Sequence, residues 1–237
     1  MNPEEKISKE KFIYELFESI SGGYDSANDR ISFGMQRLWK RTLRRRIAKA
    51  LPRKGKLLDI CCGTGDIGLS VIKDRGDVRV TAADFSPAML ETARKKAGGE
   101  RRIRFVQADA MKLPFKDECF DAASISFGLR NTADYFKVLS EMARVTNEGG
   151  YVFCLDSFVP ESPVIKPFYR LYFKYIMPAI GGGKKHLKEY QWLSRSTEEF
   201  VSPGELKGLF EKAGLRAVGS RRMMFGACVL TWGIKVS

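Results

Sequence analysis

The chain has a single histidine in 237 residues, and its five cysteines (Cys61, Cys62, Cys119, Cys154 and Cys228) form no C-x-x-C pair. A metal site or a disulfide framework is therefore not expected, and buried free thiols are. No run of 18 apolar residues occurs, and no charged-then-apolar leader opens the chain. That argues against a membrane span or secretion, and for the cytoplasm. Acidic residues are missing altogether from Ile31 through Leu58, where Arg37, Lys40, Arg41, Arg44, Arg45, Arg46, Lys49, Arg53, Lys54 and Lys56 are basic. With a net charge of +13, this stretch would attract an anionic membrane surface or nucleic acid, a solvated helix face being the plainer alternative.

A hydrophobic content of 44% over this length suits one full core rather than two. The expected division of this single domain is a helical cap over 1–54, a cofactor-binding core over 55–158, an insertion over 159–202, and a terminal helix with strands over 203–237. Residues 4–21 place Ile13, Leu16, Phe17 and Ile20 at helical spacing. Gly22-Gly23 would end that helix, and Tyr24 through Arg30 read as a polar turn. A second helix then carries Met35, Leu38, Trp39, Leu43, Ile47 and Leu51 on one side and the basic run on the other, until Pro52.

The middle of the chain alternates strands (56–61, 79–84, 103–108, 121–127, 150–156) with helices (66–74, 86–97, 132–146). That order predicts a parallel sheet covered on both faces. Ser86-Pro87 is a helix start, with Ser86 as cap. The insertion is rich in aromatics (Phe168, Tyr169, Tyr172, Phe173, Tyr175, Tyr190, Trp192), with Lys166, Arg170 and Lys174 four residues apart on one helix face. It reads as a buried helix or as a lid over a flat, greasy substrate. A helix over 203–214 and strands near 215–221 and 226–236 complete the sheet.

The stretch that organises the chain is Lys56-Leu57-Leu58-Asp59-Ile60-Cys61-Cys62-Gly63-Thr64-Gly65-Asp66-Ile67-Gly68, a strand feeding a glycine turn and a helix. Glycines 63 and 65 let the backbone turn sharply and approach a ligand. The letters satisfy G-x-G-x-x-G, and Asp84 ends the next strand, as a dinucleotide site would require. Asp59 and Asp66 flanking the turn would repel a pyrophosphate, whereas the ammonium and sulfonium of S-adenosylmethionine would suit them. Asp84 can take both ribose hydroxyls. Ligands bind beyond the carboxyl ends of such strands, so Asp59, Asp84, Asp109 and Ser126 are expected on one edge.

With these residues in view, the chain resembles S-adenosylmethionine-dependent methyltransferases of the α/β, Rossmann-like class with a seven-stranded, mostly parallel sheet. More narrowly it is similar to the ubiquinone/menaquinone biosynthesis C-methyltransferase family. Tyr24-Asp25 through Asn28-Asp29, Ser32-Phe33-Gly34, Trp39-Lys40-Arg41, the Gly63-Thr64-Gly65-Asp66 loop and Ile125-Ser126-Phe127-Gly128-Leu129-Arg130-Asn131 carry that likeness. The resemblance implies a cofactor set of Thr64, Asp84, Asp109, Ala110 and Ser126, to which the loop itself adds Asp59, Gly63 and Gly65. Asp84 would hold the ribose and Asp109 the adenine amino group. It also implies C-methylation of a prenylated quinol, demethylmenaquinol or the ubiquinone-pathway benzoquinol. Gln36 stands where the family usually has histidine, and Asp156 replaces a common glutamate.

For a ring carbon to attack a sulfonium methyl, a neighbouring phenol must be deprotonated or polarised. Arg130 could stabilise the phenolate, Asn131 could orient the hydroxyl, and Tyr24, Asp25 or His186 could assist. The plainer reading of Arg130 is a cap or an ion pair with Asp134. An alternative function is methylation of another small phenol or amine. RNA methylation and a non-catalytic cofactor-binding module docked on a membrane rank lower. Ser126-Phe127-Gly128-Leu129 stands where base-amino methyltransferases carry Asn/Asp-Pro-Pro-aromatic, and neither Cys119 nor Cys154 follows a proline, so no specific nucleic-acid partner is expected. Expected partners are thus the quinol and an anionic membrane surface at the inner face of the cell membrane, with room for a homodimer.

Overall fold

The computed structural model describes residues 12–16, 18, 24–177 and 187–236. Seven strands join one sheet: β1 (Lys56–Ile60), β2 (Arg79–Asp84), β3 (Ile103–Gln107), β4 (Phe120–Ser126), β5 (Thr146–Ser157), β6 (Leu215–Met223) and β7 (Cys228–Lys235). Their spatial order is β3-β2-β1-β4-β5-β7-β6. The first five are mutually parallel, and β7 runs antiparallel to both β5 and β6. β1 and β4 are buried nearly throughout, because helices cover the sheet on both faces and leave neither one to water. The sheet expected from the alternating pattern is the sheet observed.

Each crossover helix begins where its local chemistry allows. α1 (Tyr24–Ile31) and α2 (Met35–Ala50) precede the sheet, and α3 (Asp66–Asp74) follows the glycine turn. Gly68 lets α3 lie close on β2: a Cβ there would come within 2.9 Å of Val80 Cγ1. α4 (Pro87–Ala97) starts as expected, with the Ser86 hydroxyl accepting from Met89 N at 3.1 Å and Pro87 in the first turn. α5 (Tyr135–Val145) starts three residues later than the sequence suggested. Leu129–Asn131 forms a 3₁₀ turn, and Asp134 is the residue that caps the helix, accepting from Lys137 N at 3.0 Å.

Three readings of local structure are corrected. Tyr24 through Arg30 is helix rather than turn: Asp25 in its first turn and Arg30 in its last complement the helix dipole, and Tyr172 donates to its final carbonyl at Ile31. In α2 the apolar stripe is rotated, so that Leu38 is exposed and Gln36 buried, while Leu43 and Ile47 reach the core. The insertion is α6 (Ile165–Leu171), continuing as a π-helical turn over Tyr172–Ile176, and then α7 (Leu187–Glu198). It is not a plain buried helix, since Phe168 and Tyr175 are exposed. α8 (Pro203–Lys212) opens with a reciprocal capping box between Ser202 and Glu205. The side chains of Tyr24, Lys174 and Tyr190, the glycine pair at 22–23 and all of His186 lie outside the described residues.

Candidate functional site: two cavities sharing a wall

The carboxyl ends of β1, β2 and β4 open on one cavity, lined by Gly63, Asp84, Asp109, Ala110, Ser126 and Asn131, among others. Asp84 is its best-defined polar group. Its two oxygens accept the backbone N–H groups of Gly63 at 2.8 Å and Ser86 at 3.0 Å, which fixes the glycine loop against the start of α4. Burial pushes the Asp84 carboxyl up, and those two N–H bonds oppose the shift. Lone pairs remain on both oxygens for hydroxyl donors. Beside it, Phe85, Met89 and Met111 give apolar surface for a flat ring, and Asp109 supplies an acceptor. No lysine or arginine lines this cavity among the described residues, so it suits a cationic ligand and disfavours a pyrophosphate.

Not every residue expected here faces the cavity. Asp59 lies beneath the loop, fully buried, where it accepts from Ser124 Oγ at 3.0 Å and Gly68 N at 3.2 Å. Burial raises its pKa to about 7. Asp66 is turned outward between Lys40 (2.8 Å) and Lys96; burial alone would raise its pKa, but the two ammonium groups hold it below the ordinary value. Thr64 donates to Asp25 at 2.8 Å, and Lys96 joins that pair at 2.8 Å, so α1 is latched to the glycine loop. The charge argument for S-adenosylmethionine therefore belongs to Asp84 and Asp109, and not to Asp59 and Asp66. Gly65 adopts φ 79° and packs on Ala93, Phe105 and Leu69 rather than on the ligand space.

The residues sequence reasoning missed are mostly apolar. Ile13 lines the cavity from the N-terminal segment, where Tyr14 meets the Phe85 ring (centroids 5.7 Å apart) and Glu18 accepts from Ser86 Oγ at 2.6 Å. Cys61 lines it too, with a thiol that burial keeps protonated. A Cβ on Gly128 would come within 2.5 Å of Cys61 Cβ, so only glycine closes this corner. Cys61 and Gly128 each follow an expected site residue, Asp59 and Ser126, by two positions, whereas Ile13, Tyr14 and Glu18 carry no such local signal.

A second cavity of ≈ 530 Å³ lies between α1, α2, the insertion and the β6–β7 turn. It is within the range of small-ligand sites and mostly apolar. Phe127 lines both cavities. Beyond it the 3₁₀ turn divides its side chains, Arg130 facing the second cavity and Asn131 the first. Both hold the wall together through Phe127 O, which accepts from Arg130 Nη1 at 3.0 Å and Asn131 Nδ2 at 3.2 Å. The same Arg130 nitrogen is ion-paired with Asp156, a carboxylate with no exposed surface. Arg130 is thus not a free cation awaiting a phenolate, and its partner is Asp156 rather than Asp134. Asn131 Oδ1 accepts from Trp192 Nε1 at 3.0 Å, so both ends of that amide are engaged. Tyr24 opens α1.

The mouth of the second cavity is apolar and strained. Phe33, Phe168, Met224 and Phe225 line it while remaining 69%, 67%, 48% and 74% exposed. Phe33, Met224 and Phe225 have φ of 49°, 48° and 54°, a region bulky residues rarely occupy.

The profile of the ubiE/COQ5 methyltransferase family matches residues 5–235. The chain belongs to that family. It is 42% identical over 234 residues to demethylmenaquinone methyltransferase of Staphylococcus aureus strain JH9, an alignment covering 97% of this chain and 95% of the relative. A SAM-dependent methyltransferase from Aquifex aeolicus superposes with a TM-score of 0.57 at 21% identity, covering 78% of this chain and 85% of the other. Phosphoethanolamine N-methyltransferase 2 of Haemonchus contortus, solved with S-adenosyl-L-methionine, gives 0.62 at 14% identity, over 83% and 53%. This ubiE/COQ5 methyltransferase uses S-adenosyl-L-methionine, and the first cavity fits it. Asp84 has acceptors for a ribose, Asp109 for an adenine amino group, and Phe85, Met89 and Met111 the apolar surface beside them.

Proposed function

We propose that this methyltransferase C-methylates a prenylated quinol, with demethylmenaquinol as the substrate and the ubiquinone-pathway benzoquinol as the second choice. The observation that carries the reading is that Phe127 lines both the cofactor cavity and the larger apolar one. Transfer needs the ring carbon and the donor methyl in direct contact at about 3–3.5 Å, so an acceptor ring in the second cavity would meet the donor past the edge of Phe127, its side chain turned aside. The name of the Staphylococcus aureus relative supports the choice of ring.

Bound S-adenosylmethionine supplies an electrophilic methyl group. The protein's part is alignment and exclusion of water. Asp84 and Asp109 would hold the cofactor, with Gly63, Ala110 and Ser126 against it. Phe127 and the 3₁₀ turn would frame the place where the ring meets the donor. Arg130, neutralised by Asp156, offers a dipole rather than a full charge to the phenolate, and Asn131 braces the wall. Tyr24 is retained as a candidate hydroxyl partner of the acceptor.

The strained apolar rim supports docking on a membrane, from which a prenyl tail could enter the cavity directly. Lys166 and Arg170 flank Phe168 in sequence, and Arg221 precedes Met224, giving cationic neighbours for anionic lipid, whereas Arg222 is paired with Glu161 at 2.8 Å. The basic run is a weaker argument than its composition suggested. Arg37, Lys40 and Arg44 pair with Asp29, Asp66 and Asp74, and Arg46 stacks on Trp232 at 3.2 Å. No helix among the described residues is long and apolar enough to cross a membrane.

The test is labelled methyl transfer from S-adenosylmethionine to demethylmenaquinol, a demethylated benzoquinol, a simple amine and RNA. Transfer to a quinol alone is expected. Transfer to the amine or RNA without any to quinol would overturn the reading.

A further inference from the structure

Native proteins leave few buried hydrogen-bonding groups without a partner, because such a group loses water and gains nothing in return. Two groups of that kind, Asn28 Nδ2 and Trp39 Nε1, are buried with no hydrogen bond among the described residues. Both residues line the same apolar cavity, the one assigned above to the acceptor. Asn28 comes from α1 and Trp39 from α2, so separate helices place both donors on one space. Tyr169, from the insertion, is a third polar group in this wall. Its hydroxyl is buried beside Thr197, and burial raises its pKa so that the phenol keeps its proton.

Their chemistry is one-sided. An indole N–H can only donate, and the amide nitrogen of Asn28 can only donate. A ligand that satisfies them must present oxygen acceptors within an otherwise apolar body. A protonated amine would leave both donors unpaired and a neutral one offers a single lone pair, whereas a quinol carries two ring oxygens on a flat hydrocarbon. The position is also suitable, since the Trp39 ring lies 6.3 Å from Phe127, the residue shared with the cofactor cavity. A ring held through Trp39 sits against that shared wall.

We propose that Asn28 and Trp39 are positioning residues that donate hydrogen bonds to the ring oxygens of the acceptor and so set which ring the enzyme accepts. This assignment rests on the quinol reading, and it deepens that reading by naming the atoms that recognise the ring. The family resemblance pointed to Arg130, Asn131 and Tyr24 instead. Arg130 Nη1 is taken up by Asp156 and Phe127, and the Asn131 amide by Phe127 and Trp192.

The test compares two probes in the presence of S-adenosylmethionine. One is demethylmenaquinone with a two-isoprene tail, in the oxidised form that has no phenolate to methylate; the other is the same prenylated naphthalene without ring oxygens. Wild type should bind the quinone at least about 10-fold more tightly. Trp39→Phe keeps a ring and removes the donor, and Asn28→Leu keeps the volume and removes the amide. Each should weaken quinone binding by about 2- to 10-fold, the contribution of one net hydrogen bond, and leave binding of the oxygen-free probe unchanged. In turnover the loss should appear in KM more than in kcat. Unfolding temperature should hold or rise, because the free protein loses a donor it had not satisfied. Equal loss for both probes, or unchanged discrimination in both variants, would overturn the assignment while leaving the quinol reading in place. A wild type that binds neither probe yet methylates an amine would overturn both.

Discussion

Arg130 and Asp156 form an ion pair inside the protein, with 7% of the arginine side chain and none of the aspartate side chain exposed. Asp156 also accepts from the backbone N–H groups of Arg130 at 3.2 Å and Ser157 at 2.8 Å, so it anchors the start of the 3₁₀ turn as well as the guanidinium. The pair holds the wall between the two cavities in place.

Breaking such a pair from one side strands a buried charge. Arg130→Ala should therefore cost about 3–5 kcal/mol of folding stability, and Arg130→Leu combined with Asp156→Leu should recover much of it. Denaturant unfolding of the single and double variants decides this. A single variant as stable as wild type would return Arg130 to the role of an unpaired, substrate-facing cation.

Asp59 gives a pH dependence of unusual sign. Its folded pKa is about 7, above the ordinary unfolded value of about 3.9, so between these values the folded state holds the proton more tightly. Stability contributed by this group is then full below about pH 4 and declines as pH rises to about 7. The loss is bounded at about 4 kcal/mol by three units at about 1.36 kcal/mol each. Asp59→Asn removes the titration, so its stability relative to wild type should improve from pH 4 to pH 8. A difference that is flat across this range would contradict the placement.

Cofactor affinity should respond to Asp84 and Gly128, and less to Thr64. Asp84→Ala removes the acceptor proposed for the ribose and frees Gly63 and Ser86, for an expected loss of about 1.5–3 kcal/mol in S-adenosylmethionine binding. Gly128→Ala should weaken binding as well, because its Cβ meets Cys61 at the cavity edge. Thr64→Val cuts the bond to Asp25 without touching the cavity lining. Calorimetry on the three variants should rank them in that way, and Thr64→Val losing as much as Asp84→Ala would refute it.

How much of this was legible beforehand differs between the frame and the walls. The parallel sheet and the expectation of Asp84, Asp109 and Ser126 on one edge followed from alternating apolar runs and glycine turns, which are local signals. Asp59 and Thr64 do not line the cavity; sequence position places a residue near the loop but does not say which way its side chain points. Asp59 is claimed by Ser124, 65 positions away, and Thr64 by Asp25, 39 positions away. The same limit hid the partner of Arg130, which lies 26 residues downstream. The helix at Tyr24–Ile31 was read as a turn because contacts with Tyr172, Thr64 and Lys96 add to what its own end charges supply.

The apolar rim makes a prediction about lipid. Replacing Phe33 with Ser and Phe225 with Asn should lower partitioning onto phosphatidylglycerol vesicles by at least about 10-fold, since inserting even one aromatic contributes about 1.5–3 kcal/mol. Asn tolerates the left-handed backbone at position 225 better than Phe does, so stability should not fall with it. Vesicle sedimentation showing equal binding by wild type and this double variant would remove the rim from the account.

The most direct test of the central claim is the position of the transferred methyl. The enzyme would be incubated with demethylmenaquinol and S-adenosylmethionine carrying a ¹³C methyl group, and the product examined by carbon NMR. A label on the ring carbon beside a hydroxyl, at the shift of an aryl methyl, is the predicted result. A label on oxygen as a methyl ether, or no labelled quinol at all, would contradict C-methylation where the two cavities meet at Phe127.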